Sequence, residues 1–224
     1  MINKKKIIKF QIFCIFFESI LGIILHFLFN WSNYNLFIGS FSAVNESTWE
    51  HLKLIFFPML ITIIISYFFL NQKSNYLCSK TIGIIISILF TVTFFYNYTG
   101  ILGFNSAILN ILLFFTSIIL GEYVTFKLFT FNFSCNKILF LTLLLVILLC
   151  FITFTYITPH LGIFKDPITN SYGVLFIHYS YNISFVVIYL VHLLMLLQIF
   201  GNEQLLFLLK ILTDQLHPDY LYIN

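Results

Sequence analysis

The sequence predicts an all-α protein, a polytopic transmembrane helical bundle of about six spans with both termini in the cytoplasm. Three observations support this fold class. Of the 224 residues, 60% are hydrophobic and only 8% are charged, whereas a soluble domain carries about a quarter charged residues. The apolar residues form runs long enough to cross a bilayer, which takes about 20 residues. Most lysines also gather at alternate ends of these runs, as they do in membrane proteins.

This composition excludes several classes of protein. A chain with so few polar residues and a mean hydropathy of +1.00 cannot cover a water-facing surface, so a soluble globular enzyme, a nucleic-acid binder and a disordered protein are excluded. The chain has no arginine, which removes bidentate clamping of phosphate or carboxylate by a guanidinium group. The abundance of Phe, Ile, Leu, Asn and Lys is typical of AT-rich codons and favours a low-GC bacterial source.

Six apolar segments are predicted to span the bilayer: 7–29, 52–70, 81–99, 104–128, 138–157 and 173–200. The first is predicted to be a retained helix rather than a signal peptide, because it is long, contains Glu18 and lacks a small-x-small cleavage site. Residues 1–200 therefore form the predicted transmembrane domain. Residues 201–224 form a cytoplasmic or interfacial tail, since the apolar run there is too short to span.

The lysines orient the predicted bundle. With the N-terminus in the cytoplasm, nine of the 11 lysines, Lys80 among them, lie at the cytoplasmic face, and only Lys53 and Lys165 lie outside. An even number of spans then returns the C-terminus to the cytoplasm. We therefore expect a multi-pass protein of the bacterial cytoplasmic membrane, with the lipid bilayer as its main partner.

This topology places most of the extracytoplasmic polar chemistry in two loops and the adjoining helix ends. Imidazole and carboxylate together form an ordinary ligand set for a divalent transition metal. The candidates for binding a metal or a small polar ligand are His26, Glu46, Glu50, His51, Lys53, His160, Asp166 and His178, and the metal-ligand candidates among them are Glu50, His51, His160 and His178.

Both loops also have structural interpretations. If residues 46–53 begin the second helix, Glu46, Glu50 and Lys53 share one helical face, but Ser47-x-x-Glu50 equally fits a capping box. In the second loop, Asp166-Pro167 is typical of a turn or a helix start. These interpretations leave His51 and His160 without a structural explanation.

Ionisable residues also occur inside the predicted spans. Glu18 and His192 are both near the middle of a span and could form an intramembrane pair, with neutral Glu18 as the alternative. Glu122 lies nearer the inner end of its span, where it reaches water or pairs with Lys127. Such residues act either as polar contacts between helices or as a path for protons or ions. The four cysteines form no CxxC pair and are interpreted as apolar filler.

Two motifs together resemble a known family. Asn45-Glu-Ser-x-Trp-Glu-His-x-Lys53 and Thr158-Pro-His…Phe164-x-Asp-Pro…Tyr172-Gly resemble an uncharacterised bacterial family of integral membrane proteins, classed as a domain of unknown function. The resemblance covers roughly residues 7–200. It implies a six-helix or similar membrane domain and supplies no activity.

Three hypotheses for function remain open. The first is a protein that binds a metal ion or small polar ligand at the outer face, with metal-dependent hydrolysis as its chemistry if it is an enzyme. The second is an ion-coupled permease that uses Glu18 and His192, for which six spans suit a homo-oligomer. The third is a non-catalytic accessory protein whose outer motifs only fix two loops against each other.

Overall fold

The computed structural model describes residues 4–70, 75–131 and 134–174, all within one compact unit, Met1–Leu175. This part of the chain is helical, and its only extended pairing is an isolated bridge between Lys165 and Tyr172. The elements are α1 (Lys4–Trp31), the short α2 (Leu36–Gly39), α3 (Thr48–Phe69), α4 (Tyr76–Leu102), α5 (Ala107–Thr130), α6 (Lys137–Tyr156) and a 3-10 turn (Gly162–Phe164).

Five of these helices, α1 and α3 to α6, are long and apolar enough to cross a membrane. They confirm the first five predicted spans and the prediction of a helical transmembrane bundle. The sixth predicted span, 173–200, lies almost entirely outside the described residues. The domain boundary at residue 200 also lies outside them, and the orientation of the bundle stays a prediction.

The distribution of side chains matches a bilayer environment, because polar groups are buried and apolar groups face outward. Phe16 and Phe68 are 66% and 75% exposed, whereas Glu18, Lys80 and Glu122 are at most 1% exposed. Without water in the hydrocarbon region, polar groups must find partners within the protein. The charged groups inside the bundle must therefore be neutralised and hydrogen-bonded by one another.

Helix α3 lies at the centre and contacts α1, α4, α5 and α6. Its side chains supply most of the main apolar core. Helices α4 and α6 also contribute large buried residues to this core. The buried members include Leu52, Ile55, Phe56, Met59, Ile84 and Phe151. Helix α3 is therefore the element against which the other long helices pack.

Small residues let α4 and α5 pack closely. A Cβ atom on Gly121 would lie 2.0 Å from Ser87 Oγ, and one on Gly83 would lie 2.5 Å from the carbonyl oxygen of Gly121. Ser87 Oγ donates a hydrogen bond to the carbonyl of Ser117 at 2.8 Å. Close packing through small residues with hydrogen bonds between helices is the usual mode of association in a membrane.

A similar close approach joins α1 to α3. A Cβ atom on Gly22 would lie 2.6 Å from the carbonyl oxygen of Leu54. Pro58 lies inside α3 and has no N–H to donate to that carbonyl one turn earlier. Gly22 therefore lets α1 pack against the turn of α3 in which the carbonyl oxygen of Leu54 lacks its usual helical hydrogen-bond donor.

A disulfide joins Cys78 near the start of α4 to Cys135 just before α6. The sequence interpretation of all four cysteines as apolar filler is therefore wrong for this pair. The cysteines lie 57 residues apart, and sequence spacing alone does not reveal such a pairing. Cys14 and Cys150 are free thiols.

Candidate functional site

The start of α3 positions the first group of candidate residues. Ser47 caps the helix, and its hydroxyl accepts a hydrogen bond from the backbone N–H of Glu50 at 3.4 Å. The other half of the predicted capping box does not form. The Glu50 carboxylate accepts from the N–H of Val44 at 3.0 Å, while the N–H of Ser47 donates to Asn45 Oδ1 at 2.9 Å. The cap therefore leaves Glu50 free to enter the bundle.

The predicted single cluster is divided into two groups. Glu46 precedes the first residue of α3, so it does not share a helical face with Glu50 and Lys53 as expected. Instead Glu46 Oε2 lies 3.4 Å from His51 Nε2, and Glu46 Oε1 lies 3.9 Å from Nε2 of His26 near the end of α1. We call His26, Glu46 and His51 the His–Glu–His cluster. Its side chains are 28–44% exposed, so solvent reaches them.

The backbone determines which nitrogen of His51 faces the carboxylate. His51 Nδ1 lies 2.9 Å from the carbonyl oxygen of Ser47, and a carbonyl oxygen can only accept a hydrogen bond. The proton of a neutral imidazole is therefore on Nδ1, and Nε2 presents a lone pair to Glu46. Two atoms with lone pairs repel at 3.4 Å unless a proton or a metal ion lies between them. Fixing one nitrogen through a backbone carbonyl is how metal-binding histidines are usually oriented.

The cluster has the dimensions of a metal site. One ligand atom from each of its three side chains lies within 4.8 Å of the other two. In a tetrahedral site with bonds of 2.0–2.1 Å, ligand atoms are about 3.3 Å apart. The contact between His51 and Glu46 already has nearly this length, and His26 is slightly farther out. Three protein ligands would leave the fourth position of the ion open to water or substrate.

The electrostatics of Glu46 favour its ionised form. A hydrogen bond from Nε2 of a protonated His51 lowers the pKa of the Glu46 carboxyl below its usual value, and positive charge on His51 or His26 lowers it further. Partial burial acts in the opposite direction and only reduces the effect. A carboxylate must be deprotonated to bind a metal ion, so Glu46 is ready to act as a ligand at neutral pH.

The second group is a buried ion pair, which we call the Lys53 pair. Lys53 Nζ lies 2.6 Å from Glu50 Oε2, and both side chains are at most 2% exposed. The ammonium also donates to the carbonyl oxygens of Gly39 and Ser42 at 2.9 and 3.0 Å and to Thr155 Oγ1 at 2.7 Å. One positive and one negative charge are thus neutralised and fully hydrogen-bonded. The arrangement ties α2, α3 and α6 together and suits a structural role.

The remaining outer candidates do not join the His–Glu–His cluster within the described residues. Asp166 Oδ1 accepts a hydrogen bond from the N–H of Ile168 at 2.8 Å, and Oδ2 accepts from Thr169 Oγ1 at 2.9 Å, so its carboxylate stabilises a turn. The ring of His160 packs against Tyr172 with centroids 4.7 Å apart. The candidates His178 and His192 lie outside the described part of the chain.

A third group lies inside the bundle, and we call it the Lys80 triad. Lys80 Nζ on α4 donates to Glu18 Oε1 on α1 at 2.5 Å and also to Glu122 Oε1 on α5. Thr62 Oγ1 on α3 lies 2.6 Å from the same Glu18 oxygen. The triad therefore joins three helices through one buried ammonium group.

The triad changes two expectations drawn from the sequence and leaves a third untested. The Lys80 side chain is buried in the bundle and does not lie at its face. Glu122 binds Lys80, whereas Lys127 is exposed and its Nζ lies 5.3 Å above the ring of Tyr123. Glu18 has Lys80 as a partner, and its predicted pairing with His192 falls outside the described residues. A lysine at the start of an apolar run resembles an interfacial anchor, so nothing in the sequence marked Lys80 as an interior residue.

Comparisons with known proteins give a family and no activity. No curated protein and no solved structure matches the chain. The sequence model of the family of unknown function DUF6512 matches residues 1–174, which include α1 to α6 and every residue of the three groups described above, and the chain belongs to this family.

Proposed function

We propose that this multi-pass membrane protein binds a divalent transition metal ion through His26, Glu46 and His51. The observation that carries the proposal is the 3.4 Å approach of His51 Nε2 to Glu46 Oε2, with Nδ1 held by a backbone carbonyl. In the neutral imidazole this geometry turns the Nε2 lone pair toward the carboxylate, as metal binding requires. His26 adds a second imidazole from another helix. Two imidazoles and one carboxylate form a ligand set suited to Zn²⁺ and related ions.

The lysine distribution supports an extracytoplasmic position for this site in a bacterial cytoplasmic membrane. Three protein ligands with one open position are typical of catalytic rather than structural zinc. A water molecule in that position would be activated as a nucleophile, so metal-dependent hydrolysis at the outer leaflet is the enzymatic form of the proposal. Simple binding of the ion is its non-enzymatic form.

The test is the metal content of the purified full-length protein, equilibrated with Zn²⁺ in mild detergent and then freed of excess ion. We expect about one tightly bound ion per chain, lost in both His26→Ala and His51→Ala. The matched control is His160→Ala, which removes an imidazole at the same end of the bundle but outside the cluster. It should bind Zn²⁺ as the wild type does.

Absence of stoichiometric Zn²⁺ from well-folded wild-type protein would overturn the proposal, and so would equal loss in the His160→Ala control. Either result would favour the accessory hypothesis, in which the outer groups only fix the loops. Should the alanine variants unfold, His51→Gln keeps a side chain of similar reach without a good metal ligand, and its binding decides the matter.

A further inference from the structure

If all three groups were ionised, the Lys80 triad would have one more negative charge than positive charge. Lys80 and Glu18 are 0% exposed and Glu122 is 1% exposed. Each carboxylate uses Oε1 to bind the ammonium, and among the described residues Oε2 of Glu18 and Oε2 of Glu122 are both buried without a hydrogen-bond partner. Two carboxylates thus compete for one ammonium, and each has one unsatisfied oxygen.

Within the described part of the chain, no second cation neutralises the triad. The other titratable side chains against it are Cys14 on α1 and Tyr76 on α4, and neither is positively charged in any protonation state. Helix α3 contributes the neutral hydroxyl of Thr62. A fully ionised triad would therefore carry a net charge of −1 in the interior of a membrane bundle, where an uncompensated charge is costly.

The hydroxyl of Thr62 is a neutral donor to the triad. Thr62 Oγ1 donates a hydrogen bond to Glu18 Oε1 at 2.6 Å and lies 2.9 Å from the carbonyl oxygen of Met59. A hydroxyl supplies a hydrogen bond and no charge, so it leaves the charge of the triad unchanged.

From this geometry we propose that Glu18 and Glu122 share one exchangeable proton beside Lys80, so that the triad is a proton-binding site inside the bundle. The proton belongs to the pair rather than to either residue, as expected for closely coupled acids. Cys14 Sγ lies within 4.8 Å of oxygens of both carboxylates. A metal ion there would face the ammonium that already binds both acids, so a proton fits the missing charge better.

The site would link protonation to helix packing. Glu18 belongs to α1 and Glu122 to α5, and both hold Lys80 of α4. When the proton is on one glutamate, the ammonium of Lys80 is held mainly by the other glutamate. Movement of the proton between the two acids therefore moves the strongest polar contact of Lys80 from one of the helices α1 and α5 to the other. This is the kind of element on which proton-coupled membrane proteins depend.

Infrared spectroscopy of the full-length protein in detergent tests the proposal. We expect the carbonyl stretch of a buried protonated carboxylic acid at neutral pH, shifted on transfer to D₂O. Both Glu18→Gln and Glu122→Gln should lose this band, because the remaining carboxylate would then pair one to one with Lys80 and ionise. Glu50→Gln, which alters the neutral Lys53 pair, should leave the band unchanged.

Two results would overturn the proposal. The first is absence of the band from the wild type, which would mean that both carboxylates are ionised. The second is a band that persists in both triad variants or does not shift in D₂O. The D₂O shift needs only the wild-type protein, so the proposal stays testable if a variant fails to fold. Zinc binding at the His–Glu–His cluster is measured separately and is unaffected by either outcome.

Discussion

Lys53 and Lys80 are both fully buried lysines, and each is bound by glutamate, but their surroundings differ in charge and in hydrogen bonding. Among the described residues, Lys53 has one carboxylate partner and three neutral oxygen acceptors, with no net charge left over. In the same part of the chain, Lys80 has two carboxylate partners, and each of these has an oxygen without a partner. The comparison teaches that burial of an ion pair does not by itself indicate function. The informative quantity is the balance of charges and donors around it.

The largest expected effect tests the structural half of this comparison. Lys53→Met would leave Glu50 as a buried unpaired charge and free two backbone carbonyls, at a cost of about 3–5 kcal/mol in the free energy of unfolding. Denaturant unfolding in mild detergent measures it. Lys9→Met, the same change on an exposed lysine of α1, is the control and should cost less than about 0.5 kcal/mol. Equal costs would show that the Lys53 pair contributes no special stability.

The next effect concerns the close packing that places Glu122 beside Lys80. Gly121→Ala adds a Cβ atom 2.0 Å from Ser87 Oγ, which forces α5 away from α4 and costs about 1–3 kcal/mol. Gly100→Ala is the matched control, since its new Cβ atom meets nothing within 4 Å. It should be neutral or stabilising, because alanine favours a helix over glycine. Equal unfolding free energies for the two variants would contradict the packing.

A hydroxyl deletion tests the hydrogen bonding around Lys53. Thr155 Oγ1 contacts both Lys53 and Glu50, so Thr155→Val should cost about 1–2 kcal/mol through the unsatisfied groups it leaves. Thr116, which is exposed and bonds only its own helix, provides the control variant Thr116→Val. If thermal unfolding shows the same loss of stability for both variants, the Thr155 hydroxyl does not stabilise the Lys53 pair.

The smallest expected effect separates the two sites most sharply. If the triad holds a proton, Glu122→Gln replaces a neutral acid by a neutral amide of the same shape and should change the unfolding free energy by less than about 1 kcal/mol. Glu50→Gln removes the carboxylate that pairs with Lys53 and should cost several times more. Similar costs for the two glutamine variants, measured side by side, would place the triad in the same structural class as the Lys53 pair.

The membrane-spanning helices could be predicted from the sequence. The division of the polar residues into the His–Glu–His cluster, the Lys53 pair and the Lys80 triad could not. Runs of about 20 apolar residues can do little other than span a bilayer, so α1 and α3 to α6 follow from composition alone. The groups depend on single positions. Glu46 falls just before α3 and joins His51, while Glu50 falls inside it and joins Lys53. The burial of Lys80 depends on contacts with α1 and α5, which no local pattern encodes.

The disulfide between Cys78 and Cys135 has a consequence for which side of the membrane each end of the bundle faces. It lies at the end where α4 begins and α6 begins, which the lysines predict to be cytoplasmic. Disulfides, however, persist mainly in oxidising compartments and are opened by cytosolic reductants.

The bond also closes a covalent ring that contains all of α5 and most of α4. Loop-closure entropy for a ring of this length is worth about 4 kcal/mol. In a reducing cytoplasm, the packed pair α4 and α5 would therefore lose this covalent link, and only noncovalent contacts would remain between the two helices, among them the small residues, the Ser87–Ser117 hydrogen bond and the Lys80 triad.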